Sequence, residues 1–181
     1  MNYKKATEND YQGMLDLQNE NFIVNLTANE KKQGFLSVKF TKEQFNAMNE
    51  EGGPGIIICK DSDIVVGYLC TSSLSFNKAF ALPAAMIELY PKITYQNKTL
   101  DQYISIVIGP WCIKQSYRGK GIFLGLWEAL YDILPKDINL LTTFISTDNS
   151  HSLYAAKKAG MEVLTTFEFN KKEFWLLAKT H

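Results

Sequence analysis

The pattern of apolar and polar residues predicts short strands that alternate with amphipathic helices along the whole chain. Runs rich in β-branched and aromatic residues predict strands at 3–6, 56–59, 64–71, 104–113, 140–145, 161–169 and 174–178. Helical spacing and capping residues predict helices that start near Thr7, Thr41, Pro83, Gly121 and either Asp148 or Ser150. The breaker at 52–55, G-G-P-G, predicts the end of the second helix. This alternation of element types predicts an α/β fold.

The stretch 104–133 combines an apolar strand, a polar turn and a helix. An uninterrupted apolar strand is typical of the centre of a sheet that is covered on both faces. Within it, Gly109-Pro110 predicts a bulge or a splay, because proline cannot donate to the ladder. The turn at 118–121 reads R-G-K-G. Its glycines would expose backbone amides at a helix N-terminus, where such amides hold phosphate.

This turn lacks the signatures of other phosphate sites. A P-loop requires Ser or Thr after its Gly-Lys pair, and Lys120 is followed by Gly121. A dinucleotide-binding G-x-G-x-x-G requires a third glycine where Leu124 stands. A turn whose glycines only satisfy backbone geometry is an equally good interpretation of these residues taken alone.

Composition limits the classes of function. The 181 residues suffice for one well-buried domain, and 46% apolar with 21% charged residues are typical of a soluble globular protein. Nineteen basic and nineteen acidic residues cancel, which gives no support for a protein that binds nucleic acid or a membrane surface. The three cysteines lie in apolar runs without metal-type spacing, so we expect reduced core thiols, no metal site and a cytoplasmic protein. The sequence has neither the apolar core of a signal peptide nor an apolar run of membrane-spanning length.

Two motifs, and the order of the strands and helices that carry them, resemble those of the GNAT N-acetyltransferase superfamily. Residues 112–122, C-I-K-Q-S-Y-R-G-K-G-I, are similar to its acyl-CoA-binding motif, an R/Q-x-x-G-x-G/A turn after the central strand. Residues 149–161, N-S-H-S-L-Y-A-A-K-K-A-G-M, resemble its second motif, an N-x-x-S/A helix that ends in K-x-G-F. The spacing between the motifs fits the family, and the order of strands and helices matches over nearly the full chain.

The resemblance implies a single α/β domain over residues 1–181, with a mixed central β-sheet that is flanked by helices. The sheet would be splayed at a CoA cleft between the strands that end near Ile113 and Ile145. Acetyl-CoA is then the acyl donor, with its pyrophosphate on the amides of the glycine turn and the second motif lining the other side. The residues implied to bind it are Cys112, Ile113, Lys114, Arg118, Gly119, Lys120, Gly121, Ile122, Phe123, Asn149 and Ser152.

The chain departs from the family pattern at two positions. Phe123 replaces the final Gly or Ala of the first motif, and we expect its ring to point into the core while its amide faces the ligand. Ala156 stands where many members carry a tyrosine that protonates the departing thiolate. Tyr154 lies two residues earlier, about 200° around the helix, and we expect it to serve packing.

A long connection from Ser72 to Tyr103 supplies the candidate general bases. Long connections in compact domains are often functional, and this one either shapes the acceptor site or is an ordinary solvated excursion. The central strand carries no carboxylate, which leaves Glu88 and Asp101 as the catalytic candidates nearest in sequence. Each of these carboxylates is otherwise a solvated surface group.

The resemblance implies acetyl transfer to a small-molecule or peptide amine by direct attack in a ternary complex, in a monomer or homodimer. Deprotonating the amine is the larger task, because an alkylamine has a pKa near ~10.4 and a thiol near ~8.5. A non-catalytic acyl-CoA-binding or sensing module is the alternative, motivated by Ala156 and the lack of an evident base. A third interpretation is a structural domain that binds no CoA.

Overall fold

A mixed β-sheet forms the centre of the molecule, which confirms the predicted α/β class. The computed structural model describes residues 1–50 and 53–181. The strands in these ranges are β1 (Asn2–Lys5), β2 (Ile56–Asp61), β3 (Ile64–Ser73), β4 (Thr94–Tyr95), β5 (Lys98–Thr99), β6 (Ser105–Ile113), β7 (Leu140–Ser146), β8 (Glu162–Phe169) and β9 (Lys172–Thr180). The main sheet has the order β1-β2-β3-β6-β7-β9-β8, and β4 pairs with β5 in a separate hairpin. Within the main sheet β6 and β7 are parallel, and the other neighbours are antiparallel.

Helices cover both faces of this sheet. They are α1 (Tyr11–Asn21), α2 (Ala28–Lys31), α3 (Lys42–Glu50), α4 (Leu74–Lys78), α5 (Ala81–Ile87), α6 (Ile122–Ile133) and α7 (Ser150–Lys158). Apolar side chains of α6 and α7, such as Leu126 and Ala156, are buried in one core cluster. Met14 of α1 and Phe45 of α3 are buried in a second cluster, and Met86 of α5 lies in a third, which the long connection forms with β6, β7, β8 and β9.

The starts of two helices test the capping predictions. The amide of Thr41 donates to Gln44 Oε1 at 2.8 Å and the amide of Gln44 donates to Thr41 Oγ1 at 3.3 Å, which confirms the capping box before α3. The predicted end of α3 at 52–55 begins outside the described residues. The helix α7 is present as predicted, but its predicted cap was wrong, because Asn149 is the capping residue in place of Asp148 or Ser150. Its Oδ1 accepts a hydrogen bond from the amide of Ser152, three residues later, as asparagine commonly does at this position.

The central strands β6 and β7 pair over only three residues. Ser105–Val107 lies opposite Leu140–Thr142, and beyond this point β6 continues along β3 while β7 continues along β9. On its other edge β6 carries the predicted bulge, since Trp111 faces Leu69 and Ile108 faces Thr71. One extra residue of β6 is therefore accommodated at Gly109-Pro110. The sheet opens into a gap at its centre, as the resemblance implies.

The long connection is fixed to the sheet by tyrosine hydroxyls. Tyr90 and Thr142 share a hydrogen bond of 2.6 Å between their hydroxyl oxygens, and Tyr95 donates to Glu162 Oε1 at 2.6 Å. The cysteines at 59, 70 and 112 are buried and free, as predicted for core thiols. In the part of the chain that the structure describes, no helix is both long enough and apolar enough to span a membrane.

Candidate functional site

A cavity of about 220 Å³ lies where β6 and β7 part. The two strands line it with residues 107–111 and 143–146. Its remaining walls come mainly from the cleft loop, which we define as residues 33–40, and from the start of the long connection, at 76–83. The lining is completed by Met48, Ser72, Asn149, Ser152 and Phe174. The gap in the sheet is therefore bordered by two segments that lie outside the sheet.

The glycine turn before α6 exposes backbone amides. Gly119 and Gly121 have φ angles of 74° and 78°, in the left-handed region that favours glycine. A Cβ added at either glycine would meet no atom within 4 Å in the described structure. The first amides of α6, at 122–124, have no acceptor within their own helix. The turn thus presents N–H groups at the positive end of a 12-residue helix, as an anion site requires.

The amide of Arg118 does not face the anion site, in contrast to the expectation from the first motif. The amide of Arg118 donates to Gln115 O at 3.2 Å within a turn of 3₁₀ helix. The guanidinium points inward, where Nε donates to Ile113 O at 3.2 Å and Nη2 donates to Asn21 Oδ1 at 2.6 Å. Its Nη1 also donates to the carbonyl of Gln33. Arg118 therefore joins α1, the cleft loop and the end of β6, and the outward amides begin at Gly119.

The open edge of β6 follows from its pairing with β3. The amide of Lys114 donates to Val66 O at 2.8 Å, so this pair is a hydrogen-bonded one. Because backbone groups alternate along a strand, the amide of Cys112 also points to β3. The amides of Trp111 and Ile113 point the other way, into the gap. The resemblance implies that Cys112 binds acetyl-CoA, but its amide does not face the gap, and the amide of the neighbouring Trp111 does.

The side chain of Cys112 is also directed away from the gap. Its Sγ lies 3.8 Å from Leu17 O, among the buried side chains of α1 and α3. Burial raises the pKa of the Cys112 thiol to about 12, so the group stays protonated at neutral pH. A protonated, buried thiol is not a nucleophile.

The opposite edge of the gap is formed by β7. The amide of Thr147 donates to Glu173 O at 3.0 Å, which makes this pair a hydrogen-bonded one in the ladder with β9. By the same alternation, the backbone groups of Phe144 and Ser146 point away from β9 and into the gap. The sequence analysis missed these two residues, because an apolar strand does not reveal at which residue its neighbour leaves it.

The residues of the second motif contact the cleft loop. Asn149 accepts a hydrogen bond from the Ser152 amide at 3.2 Å through Oδ1, and its Nδ2 donates to Phe35 O at 3.0 Å. A Cβ added at Gly34 would lie 3.6 Å from both Asn149 Oδ1 and Ser152 Oγ. Asn149 and Ser152 also line the cavity. The two motifs are therefore brought to opposite sides of one cleft, with the cleft loop between them.

The ring of Phe123, which replaces the small final residue of the first motif, packs against other aromatic rings, in agreement with the expectation that it points into the core. Its ring centroid lies 5.4 Å from that of Trp111 and 6.2 Å from that of Trp127. Ile122 beside it is buried in the core beneath α6. The aromatic contacts keep the ring of Phe123 off the turn, so the substitution leaves the outward amides uncovered.

The two lysines of the first motif have separate partners. Lys114 Nζ lies 2.8 Å from Glu20 Oε1 in an ion pair with α1. Lys120 is exposed, and its Nζ lies 4.8 Å from the ring centroid of Tyr117. Lys120 is itself part of the glycine turn, where its ammonium group adds to the positive potential.

The candidate proton-transfer residues are not brought to the cavity. Glu88 is exposed at the end of α5, Asp101 is exposed in a 3₁₀ turn, and neither side chain lines the cavity. Ala156 is fully buried, and Tyr154 is 62% exposed on the outer face of α7. The structure therefore assembles the predicted donor side without a carboxylate or a phenol from these four positions.

Comparisons with known proteins agree on the fold. No family model and no curated sequence matches the chain. Among solved structures, smu.2055 from Streptococcus mutans UA159 is 18% identical, with a TM-score of 0.67 and 99% of each chain covered. The ribosomal-protein-alanine N-acetyltransferase from Brucella melitensis is 15% identical, with a TM-score of 0.62 and both chains fully covered. Arabidopsis thaliana Naa50, solved with the bisubstrate analogue CoA-Ac-MVNAL, is 13% identical, with a TM-score of 0.63, 99% of this chain and 98% of that chain covered.

The alignments cover at least 99% of this chain and at least 98% of each of these neighbours. At this level of identity the likeness concerns the fold. Structures of the same architecture include acetyltransferases of the GNAT family. The fold that the resemblance implies is therefore confirmed, and the chain has the fold of the GNAT N-acetyltransferases.

Proposed function

We propose that this protein is an N-acetyltransferase that transfers an acetyl group from acetyl-CoA to an amine. The observation that carries the proposal is the gap between β6 and β7 with an open glycine turn at its end. An extended ligand needs exposed strand edges, and a pyrophosphate needs unpaired amides at a helix N-terminus. The solved complex of Arabidopsis thaliana Naa50 with a CoA-peptide analogue supports the same use of this fold.

The pyrophosphate of the donor is proposed to lie on the glycine turn. The amides from Gly119 to Phe123 would donate to its oxygens, and the φ angles of both glycines keep these amides turned outward. Lys120 in the turn contributes attraction that salt will weaken. Arg118 supports the site indirectly, by fixing the strand end and the cleft loop on which the turn rests.

The pantetheine arm is proposed to lie in the gap, where it offers amide groups to both strand edges. On β6 the open backbone groups belong to Trp111 and Ile113, and on β7 they belong to Phe144 and Ser146. Because Arg118 Nε already occupies the Ile113 carbonyl, the Ile113 amide is the freer group of that residue. Trp111, Phe144 and Ser146 also line the cavity, so the thioester end of the arm would lie at the edge of the cavity.

Strand amides are also proposed to assist the transfer itself. As the amine attacks, negative charge develops on the thioester oxygen, and the amides of Trp111 and Ile113 are the donors on this edge. Cys112 takes no covalent part, because its thiol is buried on the far side of the strand. A thiolate leaving group has a parent pKa near ~8.5, so its departure does not require an acid from the protein.

Two measurements test the proposal. A thermal-shift titration with acetyl-CoA should show stabilisation of about 2.7 kcal/mol when the ligand is at one hundred times its dissociation constant. Release of the CoA thiol should then exceed hydrolysis for at least one class of amine. Binding without acceptor-dependent turnover would instead favour a non-catalytic acyl-CoA module. The absence of any shift would leave only a structural role.

A further inference from the structure

Aromatic rings and uncharged polar groups line the cavity. Phe80 of the long connection stands between Phe76, at 5.2 Å between ring centroids, and Phe40 of the cleft loop, at 6.2 Å. Phe144 and Phe174 form a second aromatic pair, with centroids 6.0 Å apart. Within residues 1–50 and 53–181, every side chain that lines the cavity is uncharged. The cavity is therefore suited to an apolar group.

The volume of the cavity limits the size of that group. An engineered protein cavity of about 150 Å³ takes up benzene. The cavity beside the β6–β7 gap measures about 220 Å³, which accommodates one aromatic ring and a few further atoms. A polyamine or a peptide side chain with its backbone would extend beyond it. The part of the acceptor that the cavity encloses is therefore small as well as apolar.

Asn77 supplies a neutral hydrogen-bond acceptor in the cavity wall. Its side chain is buried, and Nδ2 donates to Ser72 Oγ at 2.7 Å and to Ser73 O at 2.8 Å. Its side-chain oxygen, Oδ1, belongs to a residue that lines the cavity. This oxygen can accept an N–H from a bound amine, and a neutral amide does not require that amine to be charged.

An alkylamine that enters this cavity as its ammonium form cannot act as a nucleophile until it loses a proton. At pH 7 an alkylamine with a pKa near ~10.4 is neutral in only about one molecule in 2,500. The rings attract its cationic form, which has no lone pair to attack with. Glu88 and Asp101, which could remove the proton, lie outside the cavity. A weakly basic amine, whose nitrogen is conjugated with an aromatic ring, is already neutral at this pH.

We propose that the acceptor is a small, apolar, weakly basic amine of the arylamine class. This inference rests on the proposed acetyl transfer and specifies its second substrate. In the reaction, the amine nitrogen forms a bond to the acetyl carbonyl carbon while the carbon–sulfur bond breaks. The electron pair of that bond leaves with sulfur as the thiolate, and the proton of the acylated nitrogen passes to water. The arylamide and the CoA thiol are the products.

A panel of ring-matched amines tests the proposal. Release of CoA thiol from acetyl-CoA is measured with aniline, benzylamine and cyclohexylamine, which share a six-membered ring, and with spermidine and a tripeptide. The uncatalysed rate of each amine is subtracted. At pH 7 we expect kcat/KM for aniline to exceed that of every cationic amine by at least about tenfold. The ratio of aniline to benzylamine should fall by about tenfold per pH unit toward pH 9, as the neutral fraction of benzylamine grows.

A pair of valine variants tests the role of the uncharged wall. Val38 lines the cavity at its rim and is 41% exposed, so Val38→Asp adds a carboxylate without burying it fully. Val24 is 76% exposed and lies in the same region of the chain, so Val24→Asp makes the same change of charge away from the cavity wall. We expect Val38→Asp to lower the ratio of kcat/KM for aniline to kcat/KM for benzylamine by about threefold, which is the effect of a partly exposed ion pair. Val24→Asp should leave the ratio unchanged.

The outcomes separate this inference from the proposed function. Faster turnover of benzylamine, spermidine or the tripeptide than of aniline at pH 7 would overturn the acceptor class and leave acetyl transfer intact. An equal shift in both valine variants would overturn the assignment of the cavity. Failure to bind acetyl-CoA, or turnover with no amine in the panel, would defeat the proposed function itself.

Discussion

The glycine turn and the cavity lie at two ends of the same gap, and they are built differently. The turn relies on backbone groups of consecutive residues, held by two glycines at the start of one helix. The cavity relies on side chains from segments that are far apart in the sequence, at 35–40, 72–83, 107–111 and 143–146, together with Met48, Asn149, Ser152 and Phe174. A backbone site leaves a short motif in the sequence, because glycine is needed at fixed positions. A side-chain cavity leaves none.

The largest effect should follow from a change in the turn. Gly121→Glu forces a side chain onto a residue with a φ of 78° and places a carboxylate where the pyrophosphate is proposed to bind. We expect acetyl-CoA affinity to fall by at least about 100-fold, or about 2.7 kcal/mol, measured by calorimetry. Gly160→Glu is the matched control, because this glycine has a φ of 87° at the far end of α7. Unchanged affinity in Gly121→Glu would show that the turn does not hold the donor.

Arg118→Ala should act on folding more than on the turn itself. The substitution leaves Ile113 O, Gln33 O and Asn21 Oδ1 without their guanidinium donor. We expect the free energy of unfolding, from urea denaturation, to fall by about 2 kcal/mol, as for the loss of hydrogen bonds to a charged group. Arg118→Lys should restore part of it, because one ammonium cannot reach all three acceptors. A large loss of acetyl-CoA affinity at unchanged stability would instead mean that Arg118 contacts the donor directly.

The cavity should tolerate change better than the turn. Phe80→Ala removes the ring between Phe40 and Phe76, and we expect KM for the acceptor to rise by about tenfold, or about 1.4 kcal/mol. The dissociation constant of acetyl-CoA should stay within about twofold. Phe169→Ala is the control, since Phe169 packs against the third core cluster without lining the cavity. An equal loss of acceptor and donor affinity in Phe80→Ala would contradict the division of the gap into two parts.

The same division explains which features were predictable from the sequence. The alternation of strands and helices, the capping box at Thr41 and the bulge at Gly109-Pro110 are local, and each was confirmed. The inward turn of Arg118 depends on α1 and the cleft loop, which its own motif does not encode. The open edge at Phe144 depends on where β6 leaves β7, and that point is set by the bulge in a different strand pair.

The cleft loop is the element that joins the two parts, and His151 offers a small, pH-dependent test of it. A Cβ added at Gly34 would lie 3.3 Å from His151 Nδ1, so this ring contacts the loop. Burial, and then the charge of Arg118, lower the pKa of His151 below its ordinary value of 6.5. The unfolded chain therefore binds more protons than the folded one just below pH 6.5, and the free energy of unfolding should fall as the pH falls through this value.

Urea denaturation between pH 7.5 and 5.5 measures this effect. In His151→Asn the decrease in stability below pH 6.5 should be smaller than in the wild type, while the two proteins should differ by a constant amount above pH 7.5. His181→Asn is the control, because it removes the other histidine, which stacks on Tyr131 away from the cleft loop. If the wild type instead gained stability on acidification through pH 6.5, the protonated ring would be the form that favours the folded state. The contact between α7 and the cleft loop would then be electrostatic rather than a packing of neutral groups.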